Sequence, residues 1–211
     1  MVPIDSLLAF LAISVAITVA PGPDNLMVLG QSLARGRSAG FGIAVGCALG
    51  CFTHTLWATL GVSAVLLASP NAFFALKLAG ALYLVWLGVQ ALKSGGIAAA
   101  RRGESLALPW RRYVARGFVA NAVNPKVALF FLAFLPQFAR PEHGAAWAQM
   151  PILGAAFAMQ TIVVFGGIAF AAGGIGRLLG RRPTLGPWLD RLAGAIFIGL
   201  AANLLFGGRR G

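Results

Sequence analysis

Asp24 lies in an otherwise apolar stretch, directly after Pro21, Gly22 and Pro23 and before Asn25. A carboxyl group in such surroundings can hold a proton or pair with an organic ammonium, but not both at once. Further along, Asn121, Asn124, Pro125 and Lys126 form a second polar group in apolar sequence. The two asparagines offer amide donors and acceptors. Lys126 has three readings: it neutralises Asp24, it grips a carboxylate, or it snorkels to an interface along its apolar stem. Gln160 and Thr161 are weaker candidates of the same kind. Cys47, Cys51 and His54 form a third group, with spacings of four and three that put all three on one helix face. Thiolate and imidazole suit a soft metal ion such as zinc. The same three residues serve equally as two small apolar cysteines and a hydrogen-bonded histidine. A closed zinc site wants a fourth ligand, and no further cysteine stands in the chain, so no metal ligands are assigned.

The elements that carry these groups are hydrophobic throughout. Of 211 residues 59% are apolar and 10% charged, against roughly 25% charged in a soluble domain. So little polar surface cannot cover a water-soluble core, and the chain reads as an all-α integral membrane protein. Six segments are long enough to cross a bilayer: 6–33, 39–68, 71–92, 114–138, 147–176 and 187–206. The first lacks the basic start of a signal peptide and reads as a retained span. Cysteine usage gives no disulfide framework.

The net charge of +12 comes in short clusters between the spans. Nucleic-acid binding would need a basic, solvated face, so no nucleic-acid partner is expected. Loops after spans one, three and five hold twelve basic residues, and the opposite side holds three, Arg140, Arg209 and Arg210. Positive charge stays inside, so these loops are expected in the cytoplasm and both termini outside. Trp57, Trp86, Trp110, Trp147 and Trp188 read as interface anchors.

The chain also repeats itself. Lys77, Leu78, Ala79, Gly80, Ala81, Leu82, Tyr83, Leu84 in span three matches Arg191, Leu192, Ala193, Gly194, Ala195, Ile196, Phe197, Ile198 in span six. Spans one and four are both broken at proline, and spans two and five are rich in glycine. The expected plan is one membrane domain over 1–211, with repeat one over 1–92, a basic cytoplasmic loop over 93–113 and repeat two over 114–211. Three spans per half make the two repeats inverted.

Proline inside a helix frees backbone polar groups, which at membrane depth must face protein or a wet cavity. Two matching breaks therefore point to a binding site at the midplane. Half-helices starting near Asp24 and after Asn124 would present free amides to a carboxylate. Asp24 either exchanges a proton for a bound ammonium or simply caps its half-helix. A dibasic ligand would want a second buried acid, and Asp24 reads as the sole deep one, which favours a neutral zwitterion. Gly42, Gly46 and Gly50 form a small-residue stripe that serves internal packing or a dimer face. No nucleotide-binding motif or paired-carboxylate site is present, so neither an enzyme nor a cofactor is expected.

One set of residues, in order and spacing, carries a family resemblance. It comprises Ala20 to Asn25, Gly36 with Arg37 and Gly40, and Lys77 to Leu84. It continues with Asn124, Pro125 and Lys126, Phe130 with Phe131, and Pro136 to Phe138. The chain resembles the LysE/RhtB amino-acid exporters over essentially its whole length. That resemblance implies secondary export of amino acids or close relatives, threonine and homoserine or basic amino acids among them, with five or six spans, an inner-membrane location and a homodimer. The expected substrate site is Pro21, Gly22, Pro23, Asp24, Asn25, Asn121, Asn124, Pro125 and Lys126, with Asp24 as the proton-coupling group. Cys47, Cys51 and His54 fall outside the family pattern. Related families move metal ions, so heavy-metal export through these three remains the alternative.

Overall fold

The computed structural model describes residues 2–62, 70–93, 108–182 and 184–206. The helices are α1 (Ile4–Val19), α2 (Pro23–Arg35), α3 (Arg37–Trp57), α4 (Pro70–Lys93), α5 (Trp110–Ala122), α6 (Pro125–Ala133), α7 (Ala146–Arg181) and α8 (Leu185–Phe206). A π-helical turn, Ala58–Val62, extends α3, and short 3-10 turns at Leu135–Phe138 and Pro141–His143 join α6 to α7. No strand occurs among the described residues.

Four helices are each long and apolar enough to cross a membrane: Arg37–Gly61, Phe74–Lys93, Ala146–Arg181 and Leu185–Phe206. Two more spans are bent pairs, α1 with α2 at 59° and α5 with the α6 segment at 56°. The bends fall where the prolines stand. Pro23 and Pro125 each occupy the start of the following helix, where a missing N–H costs nothing. Counting each pair as one span gives the six of the sequence. The loop over 93–113 is shorter than expected, because α4 keeps Lys93 and α5 already begins at Trp110. Residues 94–107 and 207–211, with Arg101, Arg102, Glu104, Arg209 and Arg210, lie outside the described residues.

The glycine stripe of α3 packs inward. A Cβ on Gly46 would collide with the Val114 carbonyl, and one on Gly117 of α5 would collide with the Ile43 carbonyl. Gly42 faces Tyr113 and Trp110, and a Cβ on Gly50 would come within 2.8 Å of Asn121 Oδ1. The stripe therefore seats α3 against α5 and brings Asn121 toward the first break; among the described residues it is an internal contact. All five tryptophans are exposed at the helix surfaces.

Phe10, Phe130, Phe131, Phe134 and Phe157 form a sealed aromatic cluster where α1, α6 and α7 meet. It lies on the α1 side of the first break. On the α2 side a second cluster gathers Val28, Ile43, Ala44, Cys47, Phe165 and Ala169.

Candidate functional site

The first break leaves carbonyls at the end of α1 without helical partners, and each one named here finds a donor. Asn25 Nδ2 donates to Thr18 O at 2.8 Å. Lys126 Nζ donates to both Ile17 O and Ala20 O at 3.0 Å. That ammonium also lies 5.5 Å from the centre of the Phe197 ring, a cation–π contact. A Cβ on Gly22 would sit 2.9 Å from Lys126 Nζ, so the bare glycine leaves room for it. Lys126 is buried, and the snorkelling reading is overturned: its ammonium is held by the negative end of α1. Nor does it pair directly with Asp24, since the salt bridge among the described residues is Asp5 with Arg140.

Asp24 is 3% exposed. Its Oδ2 accepts from Asn121 Nδ2 at 2.8 Å, and its Oδ1 has no hydrogen-bond partner. The capping reading is overturned as well, because the N-cap of α2 is Gly22 and no side chain caps it. In the first turn of α2 Pro23 has no N–H and Leu26 N donates to Gly22 O, which leaves the Asp24 and Asn25 amides without a side-chain cap. At the second break the opposite holds. Asn124 Oδ1 accepts from Lys126 N at 3.0 Å, so the start of α6 is capped and offers less than the sequence predicted.

Asp24, Asn121 and Lys126 line one cavity with Thr18, Phe130 and Thr161. It measures about 10 Å³, room for about one water, so the described state is closed to anything larger. Pro21 and Asn25 line a neighbouring crevice instead. Pro23 and Pro125 are exposed helix starts that shape the breaks without lining the cavity. Gln160 Nε2 donates to Thr18 Oγ1 at 2.9 Å, and Thr161 faces the cavity directly.

A carboxyl group and an ammonium are thus held apart in one closed chamber between two broken spans. The LysE type translocator family model matches residues 15–208. The chain belongs to this family. It is 31% identical over 193 residues to an uncharacterized membrane protein of Vibrio cholerae, covering 91% of this chain and 92% of that one. A leucine efflux protein of Enterobacter is 28% identical over 188 residues, 89% of each chain. Another of that name, from Salmonella typhimurium, is 26% identical over 198 residues, 92% of each. No solved structure matches the chain.

Membership makes the chain a translocator and not an enzyme. In this translocator Cys47, Cys51 and His54 do share one buried face, as their spacing required. They do not assemble a metal centre. Cys51 Sγ donates to Cys47 O at 3.3 Å, and His54 Nε2 lies 2.8 Å from Asn121 O. Among the described residues no group of three His, Cys, Asp or Glu side chains could hold an ion. The face instead braces Asn121, whose Oδ1 also lies 3.6 Å from Cys51 Sγ.

Two contributors escaped the sequence reading. Thr18 lies one turn before the break, a position whose importance only the bend reveals. Asp190, near the start of span six, is 5% exposed with Oδ2 unpartnered. It lies one turn before Gly194, which packs on Gly88 and Leu92 of α4. Asp24 is therefore not the sole buried acid, and the charge count behind a neutral substrate loses its premise. Asp190 does not line the cavity.

Proposed function

We propose that this translocator is a proton-coupled exporter of neutral amino acids, with its substrate site at the two helix breaks. One observation carries the reading: Asp24, buried between the breaks, is bonded through one oxygen only, and shares its closed cavity with the Lys126 ammonium. A zwitterion entering that space meets complementary charges. Its ammonium goes to Asp24 Oδ1, which lacks a donor. Its carboxylate goes toward Lys126 and the uncapped first turn of α2, which meet at Gly22. The relatives named leucine efflux proteins support a neutral, apolar substrate, now that Asp190 has removed the charge-count argument.

Asp24 gives the coupling. Its carboxyl can hold a proton or pair with the substrate ammonium, but not both at once, so one is exchanged for the other. Each export cycle then releases the proton inward as substrate loads and takes one from outside as substrate leaves. The matched 59° and 56° bends support two inverted repeats, 1–92 and 114–211, that rock against each other around the site. The basic loops face the cytoplasm of the inner membrane in this reading, as the charge bias requires. The homodimer implied by the family resemblance is retained with it.

Liposomes containing the full chain, loaded with leucine, alanine and threonine, test the proposal under an imposed proton gradient. Gradient-driven efflux of at least one of them, lost in Asp24→Asn, is expected. Efflux that survives in Asp24→Asn with its gradient dependence intact would end the coupling role.

A further inference from the structure

The second space at the first break has a different character. A crevice of about 260 Å³ runs between α2, α7 and α8, lined by Ala20, Pro21, Asn25, Leu29, Ile168 and Ile196 among others. Apart from Asn25 its walls are apolar. It lies on the α2 side of the break, away from the aromatic cluster that seals the α1 side. In the topology argued above, that is the cytoplasmic side. Its lower wall reaches Ile175 and Leu189, close in sequence to the exposed Arg177 and Arg191.

Resting on the amino-acid export reading, we propose that this crevice is the side-chain subsite for a branched aliphatic amino acid on its way to the break. Two observations choose that occupant over a lipid acyl chain, which would also fill an apolar groove. First, the crevice and the charged cavity flank the same helix break: Val19 to Pro21 and Asn25 line the crevice, while Ile17, Thr18 and Asp24 line the cavity. A zwitterion at Asp24 and Lys126 thereby has an apolar space beside it for its side chain. Second, Asn25 carries a demand that hydrocarbon cannot meet. Its Nδ2 is committed to Thr18 O, which fixes the amide orientation, and its Oδ1 is buried without any donor. Asn25 Oδ1 and Lys126 Nζ lie 3.8 and 2.9 Å from the same point above Gly22. A primary ammonium brings N–H donors of the kind Asn25 Oδ1 lacks, whereas an acyl chain brings none.

The crevice thus sets specificity by shape. Leu29, Ile168 and Ile196 receive methyl groups, and a smaller substrate leaves that surface unfilled. A site of this kind discriminates by about tenfold or more per methylene gained or lost.

The test measures leucine, alanine and phenylalanine efflux together from liposomes holding the full chain, for wild type, Ile196→Phe and Ile168→Ala. Ile196→Phe fills the crevice, and the leucine-to-alanine efflux ratio is expected to fall about tenfold. Ile168→Ala enlarges it, and phenylalanine is expected to gain on leucine. An unchanged ratio in both variants overturns the subsite, as does wild-type protein that exports alanine but not leucine. Loss of a co-purifying phospholipid in Ile196→Phe, with the ratio unmoved, overturns it in favour of a lipid. Wild-type protein that moves no amino acid at all is a distinct result, and it overturns the export reading beneath the inference.

Discussion

Asn121 of α5 donates its side-chain amide to Asp24 of α2 at 2.8 Å, across 97 residues of sequence. The bond ties the helix before the second break to the helix after the first. Asn121 is itself held by α3, through His54 at its carbonyl and Cys51 beside its Oδ1. Span two therefore acts as the brace that keeps the two breaks in register.

Asn121→Ala removes that tie and leaves Asp24 with two unpartnered oxygens. Interhelical hydrogen bonds in membranes contribute modestly, but an orphaned buried carboxyl adds its own cost, so a loss of about 2 kcal/mol is expected. Thermal unfolding in detergent reads the stability and liposome efflux reads the function. Wild-type melting together with wild-type efflux would show that the bond is incidental.

Gly22 faces Lys126 so closely that an added Cβ obliges the ammonium to shift. Gly22→Ala puts a methyl 2.9 Å from Nζ and pushes the ammonium off the Ile17 and Ala20 carbonyls. Those carbonyls then lose their donor at membrane depth, at about 1 to 3 kcal/mol. Efflux should drop at least tenfold. Gly174→Ala in α7 is the control, since nothing lies within 4 Å of a Cβ there. Equal effects from the two substitutions would mean that Gly22 is not reserved for Lys126.

Much of this was legible in the residues, and what was not has a physical reason. Helix breaks at Pro23 and Pro125 follow from proline chemistry, which is local, so the sequence carries them in full. The roles of Asp24 and Lys126 depend on which helix faces them, and sequence spacing says nothing about that. Snorkelling was a fair reading of Lys126 until α1 ended against it with free carbonyls. Asp190 shows the same limit: its burial is not announced by its own neighbours in sequence. The stripe of Gly42, Gly46 and Gly50 announced a close contact, but only Gly117 opposite it reveals that the partner is internal.

Cys51→Ala and His54→Gln separate bracing from metal transport. Both side chains touch Asn121, so the brace predicts weaker amino-acid efflux from His54→Gln, by several-fold, and a smaller loss from Cys51→Ala. Zinc or cadmium flux should be absent from wild type and variants alike. Metal efflux that disappears with Cys51→Ala would restore the heavy-metal alternative.

Gln149 and Asp5 offer a contrast on the α1 side of the molecule. Asp5 meets Arg140 at 2.6 Å, but both side chains are well exposed, at 61% and 42%. Exposed pairs gain little over water and are screened by salt, so Asp5→Asn should leave the melting temperature unchanged. Gln149 is buried and makes three bonds to the segment before α7. It donates to Arg140 O at 2.8 Å and to Gly144 O at 2.6 Å, and it accepts from Arg140 N at 3.1 Å. Gln149→Leu keeps the volume but leaves all three backbone groups unpaired. A loss of about 2 kcal/mol is expected, read as a lower melting temperature for Gln149→Leu beside an unshifted Asp5→Asn. The reverse order would mean that the ion pair, not the buried amide, fastens the α6–α7 connection to the bundle.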